Sequence, residues 1–323
     1  MQLVERTFRL EADTGLGATP KPELIGPVFS RLHDTLQDAV RMGFLHSSRA
    51  RAGVSRSIRR AAEVRFVGHT AGDDEHVTNL RFVVPQFGDV AADLFEQHQL
   101  WDDGPRADET AFELLGKALA DVQHRRVESN RFDPMLLQRF SGYRRMFGKR
   151  GLSRIVLVDT DTTDDQTTAS PHIDSEVVGM AHALSEATPA PRRVRVSGRL
   201  DLMGVSQGIL KIELEPGTMV TARWEGREAV QTLKSLFDRK VVCEGVGIFR
   251  PSGALLRIDA DAIERATGSD AAFAQLPLAV ATPERIKPVR ARVGEPSPYA
   301  AFIGSVPAEE SDEEFAAAVE AMS

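Results

Sequence analysis

The chain has 323 residues, of which 42% are hydrophobic, so it can bury a sizeable core and is expected to form two domains with additional segments. The formal net charge of -7 excludes a uniformly basic nucleic-acid coat but leaves local basic surfaces open. The single cysteine, Cys243, excludes an internal disulfide and is expected to be an inert buried thiol. No apolar run approaches the length of a membrane span, and the N-terminus lacks a signal-peptide core, which predicts a cytoplasmic protein.

The N-terminal part of the chain predicts alternating strands and helices. Residues 4–10 alternate between apolar and charged positions, which indicates an edge strand. A helix with apolar residues four apart is predicted from Pro22 to Phe44. Strands are predicted at 61–70 and 77–85, with a polar hairpin turn between them. A helix followed by a hairpin favours an α+β sandwich.

The next segment is helical in character and ends at a proline-containing hinge. Three helices are expected between residues 88 and 147, each opened by an aspartate in a capping position. The apolar run 152–158 predicts a buried strand, and a further helix is expected within 171–187. The hinge Thr188–Arg192 is where we place the boundary of an α+β domain comprising residues 1–189.

Beyond the hinge the apolar pattern has a period of two residues. Five short strands are predicted between residues 194 and 263, with a helical insert at 228–240 before the fourth. This pattern is typical of a small closed β-barrel of the OB or SH3-like type, which we assign to residues 190–265. A proline-containing linker, 266–298, and an acidic amphipathic tail, 299–323, are expected to follow.

An aspartate-rich loop after the predicted buried strand is a weak candidate for a metal site. Asp159 and Asp161 stand at the end of the strand, where carboxylates often bind divalent cations, and they would suit a metal-dependent hydrolase. The loop has no glycine that could wrap a phosphate and no lysine, and its polar composition favours a plain solvated turn over a metal site. His172 with Asp174 could act as a base, although helix capping also accounts for that pair. No catalytic residue and no cofactor are assigned.

Two arginine-rich runs make a nucleic-acid-binding regulatory protein the first alternative, with the metal-dependent hydrolase second. One run lies between residues 49 and 65, and the other lies between 139 and 154 with Phe140, Tyr143 and Phe147 interleaved. Arginines on one surface could bind phosphates, but a solvated surface would have the same composition. Trp224 and Phe249 alone in the barrel strands are too few for a base-stacking platform. The candidate contacts are Arg59, Arg60, Arg144, Arg145, Lys149 and Arg150.

The C-terminal tail carries the densest local signal. Ser311 and Glu314 form a capping box, and acidic residues fill the first turn of the helix that it predicts. Phe315, Val319 and Met322 then lie on one face of this helix. A helix of about three turns is marginal alone in water, so this face is expected to dock onto a protein surface.

The run GSVPAEESDEEFAAAVEAMS resembles the toxin-binding tail of antitoxins that are paired with PIN-domain ribonuclease toxins. Gly304, Pro307 and the acidic stretch that ends before Phe315 keep the pattern of that tail, whereas Val306 and Ala308 replace its aromatic residue and its glycine. The order of elements, including AAEVRFVGH and FDPMLLQRF, also resembles a group of bacterial proteins.

The resemblance implies a non-catalytic regulator that binds a protein partner, in this case a PIN-domain toxin, and inhibits it by occupying its groove. Lys287, Arg290 and Arg292 would supply the basic residues that such a groove attracts. The residues implied in partner binding are Phe302, Val306, Pro307, Glu309, Glu310, Asp312, Phe315, Val319 and Met322.

Overall fold

The structure is a computed structural model. It describes residues 3–13, 21–49, 56–92, 95, 104–147, 151–158, 170–204, 208–214, 217–224 and 230–279. Residues Met1–Ala281 form one compact unit, and Thr282–Ser323 form a second unit. The partner-binding residues of the tail, the metal candidates Asp159 and Asp161, and the basic residues Lys149 and Arg150 lie outside the described residues.

An antiparallel sheet of five strands organises the first half of the chain. Its strands are β1 Leu3–Ala12, β2 Arg65–Ala71, β3 Val77–Pro85, β4 Leu152–Val158 and β5 His172–Asp174. The order across the sheet is β2-β3-β1-β4-β5, and every pairing is antiparallel. The prediction that β1 is an edge strand is therefore wrong, because β1 pairs with β3 and with β4. Alternating apolar and polar residues show only that one face of a strand is buried. A central strand whose other face is exposed to solvent therefore has the same pattern as an edge strand.

The helices of this half connect the strands and cover one face of the sheet. They are α1 Pro22–Leu45, α2 Arg56–Ala61, α3 Phe87–Val90, α4 Ala111–Gln123, α5 Pro134–Ser141 and α6 Ser175–Ala187. Strands β1 and β2 flank β3, and α1 connects them, which is the split βαβ arrangement. Phe8 and Phe82 of the sheet and Phe112 of α4 pack together, with Phe8 and Phe112 ring centroids 4.6 Å apart.

Local capping determines where two of these helices begin. Asp133 caps α5 as predicted, since its carboxylate accepts a hydrogen bond from the backbone N–H of Leu136 at 3.1 Å. For α4 the predicted aspartate cap is wrong. Thr110 is the cap, and the Glu113 carboxylate accepts the backbone N–H of Thr110 at 2.8 Å to complete a capping box. Of the first predicted helix only α3 and a few adjacent residues are described.

A closed five-stranded barrel forms the second half of the compact unit. Its strands are β6 Arg192–Gly204, β7 Ile209–Leu214, β8 Thr218–Trp224, β9 Lys240–Phe249 and β10 Leu255–Arg265, and helix α7 Val230–Leu236 lies between β8 and β9. The closed order is β10-β8-β7-β6-β9, in which only β8 and β10 are parallel among the described pairings. This arrangement is consistent with an OB-like barrel. Gly245 is required by close packing, because a Cβ there would lie 2.2 Å from the carbonyl oxygen of Asp259.

Residues 266–279, which the sequence assigned to a linker, pack against the barrel instead. A 3-10 helix spans Gly268–Phe273, and the Arg195 guanidinium lies 3.2 Å from the carboxylate of Asp270. The backbone N–H of Ala279 donates to the carbonyl oxygen of Gly253 at 3.0 Å. Proline content suggested an extended chain here, but a capping box, the ion pair of Arg195 with Asp270 and hydrogen bonds to the barrel hold this segment in place. The boundary between residues 189 and 190 stays a prediction.

The two halves share a buried interface. Ile248 of β9 and Leu256 of β10 belong to the hydrophobic core of the first half. Beside them the Arg257 guanidinium donates to the Asp133 carboxylate at 3.2 Å, to the Asp259 carboxylate at 3.0 Å and to the carbonyl oxygen of His46 at 2.9 Å. The Arg257 and Asp133 side chains are only 3% and 2% exposed, so this ion pair is fully desolvated.

Arg257→Ala is expected to lower the free energy of unfolding by about 3 kcal/mol or more, because it leaves the Asp133 charge buried and unpaired. Chemical denaturation measures this loss. The control is Arg65→Ala, which breaks the exposed pair between Arg65 and Glu63 and is expected to cost less than about 1 kcal/mol. Equal losses in the two variants would contradict the role given to Arg257.

Candidate functional site

An open cleft of about 1210 Å³ lies between the helical layer and the barrel. One side comes from α1, residues 104–109, α4 and the α4–α5 loop at 124–131, and the other side comes from β7, β8 and the β9–β10 turn. Leu276 and Leu278 also line it; both belong to the segment 266–279 that packs against the barrel. The cleft exceeds the roughly 300–1,000 Å³ of pockets for small molecules, so its size suits a larger ligand.

The α4–α5 loop takes its shape from one buried carboxylate. The Asp121 side chain is 4% exposed and accepts a hydrogen bond from Ser129 Oγ at 2.5 Å. The guanidinium groups of Arg126 and Arg131 lie 3.2 and 3.3 Å from the same carboxylate. Since two cations share one anion, this wall of the cleft keeps an excess of positive charge.

Arg125 adds a further cation in an unusual backbone conformation. Its φ is 49°, in the left-handed region that non-glycine residues rarely adopt. The residue is exposed at the cleft, and its side chain has no hydrogen bond or ion pair among the described residues. Its charge is therefore available to a ligand.

Arg250 connects the barrel to the α4–α5 loop. Its Nε donates to Asn130 Oδ1 at 3.1 Å, its Nη2 donates to the same oxygen, and its Nη1 donates to the carbonyl oxygen of Leu255 at 2.5 Å. Burial lowers the pKa of Arg250, and the nearby Glu128 carboxylate opposes that shift. Arg250 thus fixes the position of one side of the cleft relative to the other.

The charged groups of the lining are unequal in number. Seven basic and three acidic side chains line the cleft, an excess of four positive charges, whereas the whole chain has a net charge of -7. Lys117 is neutralised by Glu109 at 2.5 Å. The basic residues are Arg106, Lys117, Arg125, Arg126, Arg131, Lys211 and Arg250.

Exposed aliphatic side chains accompany this charge on both sides. Val127 of the loop is 44% exposed and Met219 of β8 is 41% exposed, while Leu276 and Leu278 are 39% and 71% exposed. None of the described lining residues is Phe, Tyr or Trp, and the aromatic ring in the described lining is the half-buried imidazole of His46. The cleft therefore offers mainly methyl groups and guanidiniums.

The described arginines of the basic runs predicted from the sequence do not line this cleft. Arg59 and Arg60 are exposed on α2, and Arg144 and Arg145 are exposed in a 3-10 helix. Two of the three aromatic residues between the second set of arginines are buried, and Phe147 is half-buried and packs against the same core. Phe140 is 0% exposed and Tyr143 is 1% exposed, and the Tyr143 hydroxyl is hydrogen-bonded to Thr35 Oγ1 at 3.1 Å. They belong to the core, because a helix places every third or fourth side chain on its buried face.

The grouping of His172 and Asp174 has a structural role. The Asp174 carboxylate accepts the backbone N–H of Val177 at 2.9 Å and caps α6 as predicted. His172 lies 3.3 Å from that carboxylate, and its Nδ1 is 2.8 Å from Gln123 Nε2. In the ranges that the structure describes, no group of three or more His, Cys, Asp or Glu side chains could hold a metal ion. None of the described helices is long and apolar enough to cross a membrane.

Sequence reasoning missed the cleft because its lining is assembled from segments far apart in the chain. A signal was present in the run HRRVESNR, which places an apolar valine between charged residues after a helix. That signal indicates a site only once the α4–α5 loop is known to face strand β8, which carries Met219. The residue pattern of β8 does not show that this loop lies opposite it.

Cys243 lies in β9 and is 0% exposed, and burial raises the pKa of its thiol to about 12. We expect no reaction with a chromogenic disulfide reagent at about pH 8 in the native state, because the thiol is neutral and shielded, and full reaction after unfolding. Ser252→Cys, at an exposed turn position, is the control and should react at once with one equivalent. Rapid labelling of Cys243 in the native protein would contradict the burial.

Comparison with known proteins gives no relative from which a function could be transferred. Searches against protein-family models, curated proteins and solved structures returned no match to this chain. The likeness to antitoxin tails thus rests on the residues quoted above. The described cleft and its side chains are the basis on which a function can be inferred.

Proposed function

We propose that this protein is a non-catalytic regulator that binds a segment of a protein partner in the cleft. The observation that carries this proposal is the set of exposed aliphatic side chains, Val127, Met219, Leu276 and Leu278, which line a charged, open cleft from both of its sides. Contiguous exposed apolar surface with a polar rim is typical of protein interaction sites. Clefts of this kind bind segments whose apolar side chains insert between the two walls.

A nucleic-acid strand is a poorer fit to the same cleft. Single strands gain much of their affinity from stacking of bases on aromatic side chains, at about 1–3 kcal/mol per base. The described lining has no Phe, Tyr or Trp, the His46 ring in it is half-buried, Phe249 is 1% exposed, and Trp224 packs against the barrel core. The likeness of the barrel to OB folds would favour a single-stranded nucleic acid as the ligand, but fold analogy alone does not assign a ligand. The basic excess then serves to steer and orient an acidic partner.

A peptide-display selection on the full-length protein tests this proposal. Peptides that bind the wild type are expected to bind a Val127→Asp, Leu278→Asp double variant at least about tenfold more weakly, because a carboxylate in the apolar contact must be desolvated. Both substitutions are at exposed positions outside strands and should leave the fold intact. Val67→Asp is the matched control, since Val67 is 51% exposed and does not line the cleft.

Selected peptides that bind the double variant as tightly as the wild type would overturn the proposal. The same holds if no peptide is enriched while a labelled oligonucleotide binds and is lost on Arg59→Ala with Arg60→Ala. In that case the basic surface, and not the cleft, would be the functional one.

A second proposal concerns the tail, residues 299–323. The pattern of Gly304, Pro307 and the acidic stretch before Phe315 supports an antitoxin-like role in which the tail occupies the groove of a PIN-domain toxin. Apolar anchors such as Phe315 and Val319 would provide the affinity, since charges at the rim mainly steer encounter. Co-expression with a PIN-type protein should give co-purification with the full chain and none with a chain that ends at Pro298. Equal recovery with both chains would contradict the antitoxin-like role.

A further inference from the structure

We infer that the segment bound in the cleft is acidic and amphipathic, with aliphatic side chains on one face and carboxylates that meet the arginines of the α4–α5 loop. This inference rests on the proposed function and names the chemistry of the partner. It is drawn from the distribution of charge, backbone strain and apolar exposure around the cleft.

The cations that remain available to a ligand are concentrated in the loop. Arg131 approaches the Asp121 carboxylate with one nitrogen at 3.3 Å, and its side chain is 43% exposed. A guanidinium has five N–H donors, so Arg131 retains donors that can bind another carboxylate. Arg125 has no side-chain partner among the described residues and contributes a whole guanidinium.

The barrel side contributes charge but few free donors. Arg250 already donates to Asn130 and to the carbonyl oxygen of Leu255. This half-buried cation still favours an anionic ligand, because its field extends into the cleft. Carboxylates of the partner are therefore expected to bind directly to the loop and to be attracted more weakly by the barrel.

The backbone of Arg125 gives an independent indication. A φ of 49° is unfavourable for a non-glycine residue, and glycine would avoid that strain. Strained residues cluster at functional sites, and here the strained residue presents a cation without a side-chain partner among the described residues to the cleft.

Apolar contact on both sides then requires an amphipathic ligand. A purely acidic segment would leave the Val127 and Met219 side chains in contact with water or charged groups. Binding would then bury no apolar surface at these residues and gain no hydrophobic free energy from them. A purely apolar segment would cover the loop arginines without pairing them, which is costly. A segment with one aliphatic face and one acidic face satisfies both sets of groups.

Fluorescence anisotropy with the full-length protein and three labelled synthetic peptides of about 15 residues tests the inference. The first peptide has Leu and Met on one helical face and Glu on the other, the second replaces every Glu by Lys, and the third scrambles the first. We expect the first to bind, the second and third to bind at least about tenfold more weakly, and the Kd of the first to rise steeply with salt.

Arg125→Gly separates binding from folding. It removes the free cation and relieves the left-handed strain, so the first peptide should bind about threefold or more weakly while the melting temperature stays the same or rises. Arg60→Ala is the control, because it removes one exposed positive charge that does not line the cleft and should leave binding unchanged.

The outcomes distinguish this inference from the proposed function. If the lysine peptide binds as tightly as the glutamate peptide, or if binding ignores salt and Arg125→Gly, the acidic partner is wrong. The cleft would remain a peptide site provided that binding is still lost in the Val127→Asp, Leu278→Asp variant. If binding of every peptide survives that double variant, the proposed function itself fails.

Discussion

The buried pair of Arg257 and Asp133 is the interaction on which the arrangement of the compact unit depends. Asp133 caps α5, accepts hydrogen bonds from the backbone and the hydroxyl of Ser48, and receives the Arg257 guanidinium from the barrel. A desolvated carboxylate with this many donors is stable only while all of them are present. One side chain therefore couples a helix start, the end of α1 and a barrel strand.

That coupling creates the cleft. Because β9 and β10 are held against the first core through Ile248 and Leu256, the barrel presents β7 and β8 to the α4–α5 loop. The hydrogen bonds of Arg250 to Asn130 then fix the loop opposite the barrel. The cleft is thus a product of two halves that share a buried interface, and neither half carries the complete set of its aliphatic and basic side chains.

Much of the fold could be predicted from local patterns. The 24-residue helix α1, the hairpin of β2 and β3, and the five barrel strands with their helical insert follow from periodicity and turn residues, and all are confirmed. The position of β1 in its sheet and the packing of residues 266–279 could not be predicted, because hydrogen-bond partners across a sheet and ion pairs such as Arg195 with Asp270 join residues distant in sequence. The burial of Phe140 and Tyr143 could not be predicted either, because charged arginines flank both residues in the sequence.

The sequence by itself determined the element types and the capping aspartates Asp133 and Asp174, because each depends on residues within a few positions of one another. Only the tertiary structure decided which arginines are neutralised and which are available. Arg139 is paired with the buried Asp38 at 2.7 Å, whereas Arg125 remains unpaired among the described residues. The free energy of a charge depends on its neighbours in space, and composition does not record them.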